Sequence, residues 1–451
     1  MDMTTIPSPS HVELLRQRVP RYASYPTASW FDHGVTAECQ DRWLGSVSSG
    51  ARVALHVHVP FCPRLCWFCA CRTQIAKGEA ALGAYVDAVI RESGRIAERL
   101  PAGVRASRVH WRGGSPAVLP AALIRRLAER LRADVPFDDD AEFCVELDTV
   151  SGGQDRIEAL MRAGMTRARL GVQDFGAETV AAIGSGQARD GFRDLVGRLR
   201  VAGVPAIEVG LLFGLPRQTL SSLGDTCAEV LDAMPDRLSL SGYVHAPRIA
   251  KRQQMIPEEM LPDMGERLAQ KTLAARLLVE AGYVRVGVDL FVRPDDPLAE
   301  ARAAGRLRRC LDGYTDDPVD AVIGLGASSI SRFRQGYVQN PISTTRYREG
   351  ADAGGTRAGL VLSLDDRVRA RAIEMLMCDF ALDLRLLGAE FGDFASIAAK
   401  GMDEAARAFP DHVRLSEARL EIVSEGPLLA RLVSRFFDVH ADETRSCGQA
   451  V

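Results

Sequence analysis

Between residue 51 and about residue 290, short runs rich in β-branched and apolar residues alternate with longer stretches that repeat apolar residues at helical spacing. Such a rhythm commits a chain to repeated βα units and a mainly parallel sheet. Strands are expected near residues 53–59, 108–111, 142–147, 169–173, 206–213, 237–243 and 284–288, and helices over 82–100, 120–132, 190–201, 220–234 and 258–281. Several of the strand runs are almost wholly apolar, as when helices cover both faces. The fold class is therefore α/β, a partial or open (β/α) barrel.

The rhythm weakens after about residue 330, and a Gly/Ala/Arg-rich stretch at 349–359 reads as a linker. The chain beyond it is mostly helical, with a β-like pair near 412–415 and 420–423 and a helix over 427–437, the pattern of a small helical or winged-helix-like domain. Three parts result: an arm over 1–50, a barrel over 51–348 and a C-terminal domain over 360–451. With 56 Lys+Arg against 59 Asp+Glu, bulk charge offers no case for nucleic acid or a membrane surface, so an anionic ligand must be met by local basic residues. Residues 1–18 hold no apolar signal core, and the longest apolar run, 204–216, contains Glu208 and falls short of the ~20 residues of a membrane helix. A cytoplasmic chain is expected.

Ten cysteines are distributed unevenly: Cys62, Cys66, Cys69 and Cys71 fall together, while Cys39, Cys144, Cys227, Cys310, Cys378 and Cys447 are scattered. The cluster follows an alternating run that stops at Pro60, so it leaves the C-terminal end of the first strand, the ligand-binding side of a parallel α/β protein. A structural zinc site takes a second Cys/His pair a dozen or more residues away, and this loop has none. Packed free thiols are the bland alternative, but on an exposed loop they invite oxidation. The C-x3-C-x2-C spacing suits three irons of a [4Fe-4S] cluster, leaving one iron open to a ligand.

With that spacing the chain resembles the radical S-adenosylmethionine superfamily. The resemblance narrows to the oxygen-independent coproporphyrinogen III oxidases through Arg21-Tyr-Ala-Ser-Tyr-Pro-Thr27, Val57-His-Val-Pro-Phe-Cys62, His110-Trp-Arg-Gly-Gly-Ser-Pro116, Gly171-Val-Gln-Asp-Phe175, Phe213-Gly-Leu-Pro-Arg-Gln-Thr219, Tyr243-Val-His245, Arg293-Pro-Asp-Asp296 and Gly313-Tyr-Thr315. It implies a radical S-adenosylmethionine barrel with [4Fe-4S] ligands Cys62, Cys66 and Cys69, and Cys71 beside them as a non-ligand. It also implies S-adenosylmethionine contacts from His56, Phe68, Gly113, Gly114, Ser115, Glu146, Gln173, Val244 and Ile330. Asp148 and Asp174 read better as rim residues. The implied reaction is oxidative decarboxylation of two propionates of coproporphyrinogen III to vinyl groups in porphyrin biosynthesis. The implied partners are the tetrapyrrole and a flavodoxin- or ferredoxin-like electron donor, on a monomeric enzyme. Arg21 and Arg293 are candidates for holding substrate carboxylates, since the guanidinium fork matches a carboxylate; no residue is assigned a catalytic role.

The sequence departs from that family at identifiable places. Its glycine turn opens with Arg112 instead of a third glycine, His56 replaces an aromatic residue, Ser185 and Gly210 stand for an Arg and an Asp, and Cys310-Leu-Asp312 stands for Asn-Phe-Gln. These changes gather around contacts to the nucleotide and to a second S-adenosylmethionine that the family holds beside the first. Two other functions use the same loop: radical methyl or methylene transfer by a diverged relative, and haem binding or delivery. The full-length arm and C-terminal domain argue against the latter.

Overall fold

A computed structural model describes residue 17 and residues 19–149, 152–351 and 358–440. The reading of 1–18 and Cys447 therefore fall almost wholly outside the described residues, as does much of the 349–359 segment. Six parallel strands follow the expected rhythm: β1 Arg52–Val59, β2 Arg105–Gly113, β3 Phe137–Leu147, β4 Arg167–Gln173, β5 Ala206–Phe213 and β6 Arg237–Gly242. Helices between them pack on the outer face; capping boxes at Thr219/Ser222 and Asp263/Glu266 fix the starts of two, Leu220–Asp232 and Met264–Glu280.

The sheet does not close. Residues 284–288 form no parallel strand but one arm of a hairpin, β7 Val284–Val286 with β8 Leu290–Val292, and β8 pairs antiparallel with β6. The turn depends on Gly287, whose φ of +57° favours glycine and whose missing side chain leaves room for the Tyr314 ring. At the other edge β11, Ala321–Leu325, pairs parallel with β1, and the antiparallel strands β12 Ile330–Phe333, β13 Gly336–Gln339 and β14 Ala358–Val361 continue outward. A small hairpin, β9 Arg308–Cys310 with β10 Gly313–Thr315, stands apart. The twelve-stranded order is β14-β13-β12-β11-β1-β2-β3-β4-β5-β6-β8-β7.

The expectation of strands covered on both faces by helices is corrected by the burial pattern. β4 alternates buried and half-buried residues throughout, with Ala168, Leu170 and Val172 against the helices. The opposite face is polar and lines a cavity. The C-terminal part combines the helices Leu364–Asp379, Leu384–Phe391, Ala399–Ala408 and Gly426–Ser434 with a three-stranded sheet of Ala381–Asp383, Arg419–Ile422 and Val413–Leu415. The N-terminal arm ties it to the main sheet: Tyr22 donates to Asp438 at 3.1 Å, and the Tyr25 hydroxyl accepts from the Val439 amide at 3.1 Å. Among the described residues no helix is long and apolar enough to cross a membrane.

Candidate active site

The concave face of the sheet encloses a cavity of about 1100 Å³. Strand alternation sends every second side chain into it, so Glu146, Arg169, Glu208 and Arg237 stand as consecutive partners across β3 to β6. Opposite charges face each other along this rung, with Arg169 Nε 3.1 Å from Glu208 Oε1. Arg167 bridges Glu142 and Glu208 from the next rung. These pairs let a charged face be buried beneath a ligand at tolerable cost.

At one end of the cavity sits the cysteine loop. Its neck is closed by the Cys62 amide on Gln74 O (3.0 Å) and the Gln74 amide on Pro60 O (2.9 Å), and its tip is fastened by the Trp67 amide on Ile183 O (2.8 Å). Cys62, Cys66, Phe68 and Cys71 line the cavity, together with His56, Gly114, Ser115, Glu146 and Gln173. Cys69, Gly113, Val244 and Ile330 do not line it. Cys69 is paired with Cys71, Gly113 gives its amide to Glu146 (3.1 Å), and Ile330 lies on β12 beyond β11.

The loop suits a cluster better than an ion. A single zinc needs its thiolates about 2.3 Å from one point, and no group of three His, Cys, Asp or Glu among the described residues could hold a metal ion. A cubane cluster takes each thiolate on a separate iron, so the sulfurs need only surround a common space. Four unbridged thiols on one loop, with two candidate ligands facing the cavity, meet that condition. Burial pushes the Cys66 thiol up to about 11 and raises Cys62 as well, so their ionisation calls for the positive charge a bound cluster brings.

The glycine turn serves packing more than ligand approach. Gly113 has a φ of +111°, and a side chain there would strike the His58 ring; one at Gly114 would strike the Phe61 backbone. Gln173, also left-handed (φ +57°), follows a register shift in β4 and lines the cavity. Asp174 belongs to the scaffold: fully buried, it accepts from Gln218 (2.6 Å) and Thr226 (3.1 Å). Asp148 lies on the cavity wall. Arg293 is not brought to the cavity; it donates to Pro235 O at 3.4 Å and Met234 O at 3.3 Å beside Asp236, holding the loop before β6.

Three of the departures from the family meet at one carboxylate. Asp312 pairs with His56, with His110 Nδ1 at 3.2 Å and with Arg112. Burial opposes its charge, but His56 and His110 outweigh burial and hold it well below the usual carboxylate range. Burial likewise disfavours a charged His110, yet Cys144 and Asp312 push it up to about 10, whereas at His56 burial wins and lowers it. Arg112, followed by His110, keeps Glu146 ionised against burial. Where the family has an arginine, Ser185 receives Arg64 Nη1 on its carbonyl at 3.2 Å, so a cation from the cysteine loop stands beside that position.

Gln253 gave no sign in the sequence. Fully buried, it donates to Phe68 O (2.8 Å) and Val244 O (3.0 Å) and accepts from the Ala246 amide (2.6 Å), joining two expected cofactor contacts through one amide. Gln253→Ala is expected to cost about 2–3 kcal/mol, at about 1 kcal/mol for each lost hydrogen bond, measured by urea denaturation. An unchanged midpoint would show that the amide carries no load.

His58 provides a pH signature. Burial, with Arg112 adding to it, lowers its titration to about 4, while an unfolded histidine titrates near 6.5. Between those values the unfolded chain binds a proton that the fold refuses, so stability is complete above pH 6.5 and falls as pH drops towards 4. The loss amounts to about 3 kcal/mol, and a His58→Gln variant should show a flatter denaturation midpoint against pH over that window.

A sequence model of the Radical SAM superfamily matches residues 56–230. An oxygen-independent coproporphyrinogen III oxidase from Cereibacter sphaeroides is 42% identical over 452 residues, spanning 99% of this chain and 100% of its own length. Its counterpart from Paracoccus denitrificans is 41% identical over 429 residues, 94% of this chain and 95% of that protein. The solved coproporphyrinogen III oxidase from Escherichia coli, described as a radical SAM enzyme, superposes with a TM-score of 0.88 at 32% identity, covering 93% of this chain and 98% of that one. The match thus extends from the cysteine loop through the arm and the C-terminal part, and the chain belongs to the oxygen-independent coproporphyrinogen III oxidase family of the radical SAM superfamily, whose members work with a [4Fe-4S] cluster and S-adenosylmethionine.

Proposed function

We propose that this enzyme oxidatively decarboxylates propionate side chains of coproporphyrinogen III to vinyl groups, giving protoporphyrinogen IX without oxygen. The observation that carries the reading is a single large cavity holding the Cys62 and Cys66 thiols together with many arginines, in a chain alike over its full length to enzymes of that name. When bound, the cluster and S-adenosylmethionine supply a reductively generated 5′-deoxyadenosyl radical that abstracts hydrogen. Cys62, Cys66 and Cys69 are the proposed cluster ligands. His56, Phe68, the turn from Gly113 to Ser115, Glu146, Gln173, Val244 and Ile330 are the proposed contacts to S-adenosylmethionine.

The chain's own part is binding, orientation and exclusion of water. Glu146, held ionised by its cationic neighbours, is suited to accept from an ammonium or hydroxyl group of the cofactor. Phe68 offers a ring to stack on a base. A flavodoxin- or ferredoxin-like protein is the proposed electron donor, and a monomer in the cytoplasm the proposed working form.

The test is anaerobic incubation of the reconstituted protein with coproporphyrinogen III, S-adenosylmethionine, a reductant to start the reaction and a one-electron acceptor to take the electron released as each propionate leaves as carbon dioxide. Protoporphyrinogen and 5′-deoxyadenosine should form together. 5′-Deoxyadenosine without the vinyl product would remove coproporphyrinogen III as substrate.

A further inference from the structure

Seven of the ten arginines that line the cavity fall into two sets. Arg108, Arg167, Arg169 and Arg237 each face carboxylates of their own: Asp317 for the first, Glu142 and Glu208 for the next two between them, and Asp296 for the last. Arg21, Arg309 and Arg431 are balanced differently. Among the described residues the carboxylate these three share is Asp289, with Arg309 Nη1 at 3.7 Å and Arg431 Nη2 at 3.6 Å. Lys271 stands behind them, bonded to Pro427 O at 3.2 Å, with Glu425 also within its reach.

This end of the cavity therefore holds more positive than negative charge. Arg309 Nη1 and Arg431 Nε are buried with no hydrogen-bond partner, while Arg21 stays accessible, one nitrogen resting on Gly242 O. Desolvation by the cavity walls and the neighbouring cations push Arg21 down to about 10 and Lys271 to about 7, shifts that an added anion would reverse. Arg309 is further located by the Tyr314 ring, 4.7 Å from its guanidinium, and by Tyr22 O at 3.3 Å.

The origins of these residues matter as much as their charge. Arg21 comes from the N-terminal arm, Asp289 from the turn between β7 and β8, Arg309 from β9 and Arg431 from the helix Gly426–Ser434. All four lie outside the 56–230 segment matched by the superfamily as a whole. The cationic end is thus an addition to the radical-generating core, in the same cavity as the cysteines.

We propose that Arg21, Arg309 and Arg431 anchor a propionate carboxylate of the bound tetrapyrrole beside Asp289, whose single negative charge leaves the three guanidiniums net cationic. The inference rests on the functional reading above and names its recognition site. Guanidinium forks donate two parallel hydrogen bonds to a carboxylate, and a second anion beside Asp289 brings the group closer to neutrality.

The test compares the reconstituted full-length enzyme with Arg21→Gln, Arg431→Gln, Arg431→Lys and Asp289→Asn variants. Binding of coproporphyrin III, a stable tetracarboxylate, and of its tetramethyl ester is followed by fluorescence titration, alongside KM for coproporphyrinogen III. Each Arg→Gln change should weaken tetraacid binding and raise KM by about tenfold or more, leave ester binding unaltered and preserve the iron–sulfur absorbance. Arg431→Lys should recover part of the loss. Asp289→Asn should retain or tighten tetraacid binding, whereas a purely structural ion-pair group would lose affinity with Asp289→Asn as with Arg431→Gln. Equal losses for acid and ester, or an unchanged KM in the Arg21→Gln/Arg431→Gln double variant, overturn the anchor. If thermal melting shows that Arg431→Gln does not fold, Arg21→Gln on the accessible arm decides. A wild type that binds and converts its substrate while the variants equal it removes the anchor alone; a wild type that does neither removes the functional reading and the anchor with it.

Discussion

Cys66→Ala is expected to abolish both the visible iron–sulfur absorbance of the reconstituted enzyme and the formation of 5′-deoxyadenosine, while the secondary structure is retained. Cys66 is half-buried on the cavity wall and its backbone carbonyl receives the Cys69 amide at 3.4 Å, so removing the thiol leaves the loop's own framework in place. Three thiolates for three irons leave no spare ligand, and turnover should fall below detection. Cys71, which faces the same cavity and pairs with Cys69, is the natural control. Cys71→Ala should keep the absorbance and Cys69→Ala should lose it; the reverse would move the third ligand to position 71. Retained turnover in Cys66→Ala would defeat the radical mechanism outright.

Asp312→Ala should be strongly destabilising. It strips the counter-charge from Arg112 and from His110, which the fold holds as an imidazolium, and leaves both beside a half-buried Glu146 that can balance only one of them. Removing one partner of a buried charge group costs about 3–5 kcal/mol, a fall readily measured as a shift in urea midpoint. Adding Arg112→Gly to Asp312→Ala should recover part of that loss, because the second change removes the stranded cation; the two effects should deviate from additivity by about 1–3 kcal/mol. Strict additivity would mean that Arg112 and Asp312, both departures from the family pattern, arose for unrelated reasons.

The parallel core was legible because βα alternation is local: β5 and β6 fall within a residue of the predicted strands. The two edges were not. Val284–Val286 resembles any short apolar strand, and only the left-handed Gly287 turns it back into a hairpin. Ala321–Leu325, wholly apolar over five residues, carries no period that distinguishes a strand from a buried turn of helix. The early part of β3 was hidden by its Asp138-Asp-Asp140 run, which reads as a loop. At the site, the cysteine loop announced itself because its ligands are neighbours in sequence. Gln253 meets Phe68 from 185 residues away, and Arg21 and Arg431 converge from opposite ends of the chain. Such juxtapositions are products of the tertiary fold, and nothing in the local pattern of either partner encodes them.

The pairing of β1 with β11 has a consequence for how the molecule is made. Val53 finds its neighbour Ala321 only after roughly 270 further residues have been synthesised, which at about 5–20 residues per second takes on the order of 13–50 s. During that interval the cysteine loop is complete but β1 lacks its neighbour on the β11 side. The helix bearing Arg431 emerges later still. The thiols are thus in place before the arginine end of the cavity exists, and that end is completed only when the helix Gly426–Ser434 docks.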